Sequence, residues 1–265
     1  MIHFFLMLGI NFVVVEALMI LFWVLYLVRK NVSVIDIGWG IGFILAALTD
    51  FILGDGYLWR QVLVLLIVSL WGLRLTMYLA GRFIPDRDDP RYRMVLENWG
   101  YIKSPIFQVL GLFLFQGLLI TVLSIPFILM NQNVLPFFSA GEVFGLLIWA
   151  IGLVGETVAD SQLSQFKDDS NHHGQVCSVG LWKYSRHPNY FFEWIVWIGY
   201  AVMAFSAPWG WLGMISPVLM IILLYRVSGI PYSEAQALST RGEAYEEYQR
   251  NTSKFFPWFS YPSCK

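Results

Sequence analysis

Seven stretches of this chain are each long and apolar enough to cross a lipid bilayer, and that limits the fold more than any other feature. They run roughly Phe4–Val28, Val34–Leu53, Trp59–Ala80, Ile106–Met130, Glu142–Leu163, Tyr190–Ala207 and Trp209–Ile230. A hydrocarbon core about 30 Å thick takes roughly 20 apolar residues of helix. Inside it no water can satisfy a bare peptide group, so the backbone must bond to itself. Composition agrees: 57% of the residues are hydrophobic and 13% charged, where a soluble domain carries about 25% charged residues. A disordered chain, a nucleic-acid binder and an ordinary soluble enzyme are excluded. The expected fold is all-α, a polytopic membrane protein of about seven transmembrane helices forming a single integral membrane domain over residues 1–265. Pro126 is expected to kink the fourth span, since proline removes a backbone donor.

Charge then orients the spans. The segments after the first, third, fifth and seventh runs hold Arg29, Lys30, Arg82, Arg87, Arg91, Arg93, Lys103, Lys167, Lys183, Arg186, Arg241, Arg250, Lys254 and Lys265. These are all but three of the 17 lysines and arginines, the others being Arg60 at an outer edge and Arg74 and Arg226 within spans. The positive-inside rule places the N-terminus outside and the C-terminus in the cytoplasm. The segments Gly81–Pro105 and Ser164–Pro188 are expected to fold over the cytoplasmic face. The polar stretch Tyr232–Arg250 is expected to lie on the surface as a helix.

Polar residues inside spans are costly and mark function or buried pairs. Asp36, Arg74, Glu156, Asp160, Asn189 and Glu193 fall in the cytoplasmic half of their spans, with Gln116 near the middle of the fourth. Glu156 and Asp160 share one helical face, as do Asn189, Glu193 and Trp197. Such a set predicts a polar cavity open to the cytoplasm. Glu16 stands alone in the first span, and Gly38 and Gly42 form a helix-packing pair. No nucleotide-binding glycine loop, nucleophile elbow or metal-ligand spacing is present.

The stretch Gly180-Leu-Trp-Lys-Tyr-Ser-Arg-His-Pro-Asn-Tyr-Phe-Phe-Glu193 is a basic, aromatic interfacial loop feeding directly into a membrane helix. Pro188 suits the first helical turn. The N–H groups of that turn, with Lys183, Arg186 and His187 around them, would suit an anion. This stretch resembles the C-terminal signature of the steroid 5-alpha-reductase superfamily, and more closely an uncharacterised bacterial membrane branch of it. Trp71-Gly-Leu-Arg74, Gln116-Gly117, Glu156 to Lys167 and Tyr245-Glu-Glu-Tyr248 extend the resemblance over residues 36–257.

The resemblance implies a reductase that takes NADPH from the cytosol without a Rossmann fold, with the cofactor held by the C-terminal part, residues 142–265. By position, its cofactor contacts fall on Arg74, Asp160, Lys167, Tyr184, Arg186, His187, Asn189, Glu193 and Trp197. The implied reaction reduces a carbon–carbon double bond of a hydrophobic, lipid- or steroid-like substrate drawn from the bilayer, among membrane lipids and without nucleic acid or an obligate protein partner. The implied location is the bacterial inner membrane. The family's glutamate–tyrosine acid pair has no direct match. Asp36, Trp71 and Tyr78 are the residues nearest to that catalytic position, and Tyr92 is a further candidate donor. An S-adenosylmethionine-dependent methyltransferase of the isoprenylcysteine type shares the Arg186-His187-Pro188-x-Tyr190 element and is the alternative. A non-catalytic lipid-binding role is the third reading.

Overall fold

Backbone groups in hydrocarbon are satisfied most locally by the i to i−4 ladder, and the described residues of the computed structural model, 2–82, 105–227 and 229–259, contain no strand. The helices are α1 (Ile2–Arg29), α2 (Val34–Leu53), α3 (Leu58–Arg82), α4 (Pro105–Leu123), α5 (Ile125–Asn131), α6 (Ala140–Asp168), α7 (Pro188–Ala204), α8 (Ile215–Ile222), α9 (Ile230–Arg241) and α10 (Glu243–Asn251). Tight 3₁₀ turns lead into α7 at Gly180–Lys183 and into α8 at Gly210–Met214, and a single π turn, Leu223–Val227, follows α8. The basic segment with Arg87, Arg91, Tyr92, Arg93 and Lys103 lies outside the described residues.

Among the described residues six stretches are long and apolar enough to cross a membrane, against seven expected. The difference is the run Tyr190–Ala207. It folds as α7, whose 17 residues span about 25 Å, the lower end of what a bilayer accepts. Pro126 does more than kink its span. The helix stops at Leu123 and restarts at Ile125, with the proline in the first turn of α5, where its missing donor costs nothing. The polar tail folds as two helices rather than one, divided at Gly242 with φ +52°.

The chain divides into two compact units, Met1–Gly145 with Tyr200–Ser216, and Leu146–Gly199 with Pro217–Lys265. In the first, α2 is the hub, and its glycines set how close its neighbours come. A Cβ on Gly38 would meet the Phe22 ring of α1 at 3.1 Å, and one on Gly42 would meet Ile120 of α4 at 2.7 Å. Gly40, on another face, lies against Thr76 and the Gly72 carbonyl of α3. Around this crossing Phe43 packs edge-on to Trp71 at 5.3 Å, and Phe127 to Tyr200 at 4.9 Å, all four side chains closed to solvent. Many side chains on the opposite side of α1, among them Phe5, Leu6, Val13 and Leu21, are exposed, as a lipid-facing surface requires.

A second organiser of this unit is Arg60. The arginine is 1% exposed and forms an ion pair with Glu142 at the start of α6. Its remaining N–H groups donate to the carbonyls of Asn133 (2.7 Å), Leu135 (2.9 Å) and Phe137 (2.6 Å), fixing the whole α5–α6 connection. Glu142 is itself set by a capping box: it accepts from Ser139 N at 2.8 Å, and Ser139 Oγ accepts from Glu142 N at 3.2 Å. Glu142→Ala leaves a buried guanidinium without its counter-charge. The expected cost is about 3–5 kcal/mol, read as a fall in the thermal midpoint of detergent-purified protein. Replacing Arg60 and Glu142 together by leucine or methionine should cost less than the single change.

Candidate functional site

The second unit is built on the pair α6 and α7, and small residues fix its register. A Cβ on Gly152 would lie 2.6 Å from the Val196 nitrogen, one on Gly155 would enter the Phe192 ring, and one on Gly199 would lie 2.6 Å from the Trp149 nitrogen. Contacts step down one helix as they step up the other, so the two run antiparallel at close range. Carried on, the same register brings Asp160 level with Asn189, and Asn189 Nδ2 donates to Asp160 Oδ1 at 3.1 Å. Asn189 Oδ1 is buried and has no hydrogen-bond partner. Glu193 follows one turn along α7. Glu156 and Asp160 are 3% and 4% exposed, while Lys167, on the same face of α6 in its last turn, is open to solvent. The stripe therefore runs from buried acids to a solvated base.

The approach to α7 is held from both sides. Gly180 sits at φ +57° with its α carbon against the Gln162 amide, a place where any side chain would be strained and blocked. Leu181 N donates to Gln162 Oε1 and Trp182 Nε1 to the Ala159 carbonyl, both at 2.9 Å. This turn is thereby hung on α6. The following residues are tied to the tail. Arg186, 7% exposed, makes two contacts with Glu234 of α9 at 2.8 and 2.7 Å. It also donates to the carbonyls of Gln249 and Thr252, each at 2.8 Å. Ser185 Oγ donates to the Phe255 carbonyl at 2.8 Å, and the Tyr248 hydroxyl donates to the Trp182 carbonyl. His187 stacks on Tyr190 at 5.5 Å, with Nε2 3.3 Å from Glu234 Oε1. Burial holds the His187 imidazole below its ordinary pKa, against the pull of Glu234. Burial likewise pushes the Tyr245 phenol up to about 12.

The residues expected at the site thus divide into groups. Asp160 and Asn189 are in contact, and Glu193, Trp197 and Lys167 lie on their two helices. Tyr184 is exposed at the loop, edge-on to Phe259 at 6.0 Å. Arg186 and His187 are taken up by the protein's own groups and hold the tail. In the first unit, Trp71 is closed in the aromatic core, and the Arg74 guanidinium stands 5.7 Å from the Tyr78 ring centre. Asp36 lies half-buried in the first turn of α2. Glu234 was not anticipated. The signal for it was a buried arginine that needs a carboxylate, and the polar tail was the place to look.

A family model described as "Protein of unknown function (DUF1295)" matches residues 22–252. The chain belongs to the DUF1295 family. It is also similar to an uncharacterized protein of Schizosaccharomyces pombe, 24% identical over 263 residues, covering 86% of this chain and 73% of that one. No solved structure matches. The family match takes in the α6–α7 pair, the Arg186 cluster and α9 together.

Because burial lowers the His187 pKa, the folded tail takes up a proton less readily than the unfolded chain. Its stability is therefore present above about pH 6.5 and declines as pH falls below that value. The hydrogen-exchange protection factor of α10, corrected for the pH dependence of intrinsic exchange, should fall on acidification through that range, and His187→Gln should flatten the dependence.

Proposed function

We propose that this protein is a membrane-embedded reductase that uses NADPH to reduce a carbon–carbon double bond of a hydrophobic substrate dissolved in the bilayer. The observation that carries the reading is the Asp160–Asn189 contact, set across α6 and α7 directly behind the Gly180–Glu193 signature that resembles the steroid 5-alpha-reductase superfamily. In this reading the chain crosses the membrane seven times, with α7 among the spans, its N-terminus outside and its C-terminus in the cytoplasm.

The residues fit part of that cofactor well. Asn189 Oδ1, buried and without a donor, accepts from a carboxamide or a hydroxyl, and carboxylates such as Asp160 and Glu193 accept from sugar hydroxyls. Phosphate needs cations, and with Arg186 committed to Glu234, that part falls to Lys167 and Lys183, both exposed. NADPH, when bound, supplies the hydride. The chain orients the donor ring, excludes water and delivers a proton. With Trp71 in the aromatic core, the resemblance leaves Tyr78 and Asp36 as the candidate proton donors. No role in binding is assigned to Arg186 or His187 beyond holding the loop.

The acid content of the α6–α7 stripe favours one other reading. Glu156, Asp160 and Glu193 are three carboxyl groups on two neighbouring helices, a set suited to a cofactor with an ammonium group, as S-adenosylmethionine has. Parallel calorimetric titrations with NADPH, NADH and S-adenosylmethionine separate the two. The expected result is binding of NADPH, weakened at least about tenfold by Asn189→Ala, in line with the loss of one buried hydrogen bond. Lys167→Ala should weaken NADPH more than NADH. Binding of S-adenosylmethionine alone would replace the reductase reading with the methyltransferase one.

A further inference from the structure

The first unit encloses a carboxyl group that the proposed reaction does not use. Asp50, in the last turns of α2, and Asn11, on α1, are both 0% exposed. Asn11 Nδ2 donates to Asp50 Oδ1 at 2.9 Å, the one side-chain hydrogen bond joining them. The other oxygen of each group, Asp50 Oδ2 and Asn11 Oδ1, is buried and has no hydrogen-bond partner. Among the described residues no cation pairs with Asp50. Arg60, a buried cation of this unit, is consumed by Glu142 and three carbonyls.

As a carboxylate, Asp50 would be a closed-in charge with a single neutral donor, one of the costliest arrangements a protein interior can hold. Asn11 Oδ1 would face the same interior with nothing to accept from. Both faults have the same remedy. A carboxylic acid has one O–H to give and one carbonyl oxygen to receive, and a primary amide has the complementary pair. A single proton on Oδ2 removes the charge and turns one orphan acceptor into a donor. The group already bonded to it holds the acceptor that donor needs.

We propose that Asp50 is a proton-binding site. Its carboxyl is the neutral acid at neutral pH, with Oδ2–H donating to Asn11 Oδ1 while Asn11 Nδ2 donates back to Oδ1, a cyclic acid–amide pair that clasps α1 to α2. The bound species is the proton itself, and no metal or other ligand is required. The site lies within the first unit and is independent of the reductase reading.

The clasp makes a specific demand on substitutions. An amide can stand in for a neutral acid with both hydrogen bonds kept, because the Asn side chain donates from Nδ2 where the acid donates from Oδ2. Asp50→Asn in the full-length detergent-purified protein should therefore fold with an unchanged thermal midpoint. Asp50→Leu, which removes both partners' bonds, and Asn11→Leu, which strands the acid, should lower it. The infrared difference spectrum of wild type against Asp50→Asn at neutral pH should contain a protonated-carboxyl C=O band that shifts in deuterium oxide. Three results would overturn the proposal. One is a carboxylate band in place of the acid band. Another is Asp50→Asn being as destabilised as Asp50→Leu. The third is a wild-type midpoint that rises with sodium chloride but not with choline chloride, which would make the occupant a small cation.

Discussion

A guanidinium carries five N–H donors and cannot give up its charge, so an arginine enclosed by protein obliges the chain to come to it. Among the described residues this happens once in each unit. Arg60 draws three carbonyls of the α5–α6 connection and the carboxylate of Glu142 around itself, and Arg186 draws two carbonyls of the tail and the carboxylate of Glu234. The α5–α6 connection leaves Val134, Leu135, Phe137 and Phe138 exposed, whereas the tail also buries Phe255 against Phe191 and Trp194. Each is shaped by the demand of one cation for acceptors, with a carboxylate closing the balance of charge.

The candidate site depends on that arrangement at one remove. Asn189 is two residues past His187 and three past Arg186, at the first turn of α7. Where α7 begins is decided by the loop that Arg186, Ser185 and Tyr248 pin in place. Where α7 lies against α6 is decided by Gly152, Gly155 and Gly199, whose missing side chains let the backbones meet. The Asp160–Asn189 contact is the product of both constraints, one acting along the helix axis and one across it.

Much of this was legible in the residues. Six of the seven expected spans followed from apolar length among the described residues, the packing role of Gly38 and Gly42 from their spacing, and a kink, where the structure has a full break, from the missing donor of Pro126. The Glu156–Asp160 and Asn189–Glu193 faces followed from helical periodicity. What the sequence hid was pairing across long separations. Arg60 and Glu142 read as two residues at span edges, although Ser139 and Glu142 already spell a capping box. Arg186 in a basic loop suggested an anion from outside, because nothing local marks Glu234, 48 positions away, as its partner. Asp50 and Asn11 passed without notice for the same reason. An intrahelical period shows which residues share a face, and it is silent on which face of another helix that one will meet.

The length of α6 has a consequence of its own. Its 29 residues extend over about 43 Å, well beyond a hydrocarbon layer of about 30 Å. Glu156 and Asp160 are enclosed while Lys167, two to three turns on, stands in solvent. One rigid rod therefore passes from a medium of low dielectric constant to one of high, and presents polar groups along the gradient. A molecule lying along it would find its neutral hydrogen-bonding parts favoured at the enclosed end and its full charges at the wet end, sorted by the polarisability of the surroundings before any single contact is made.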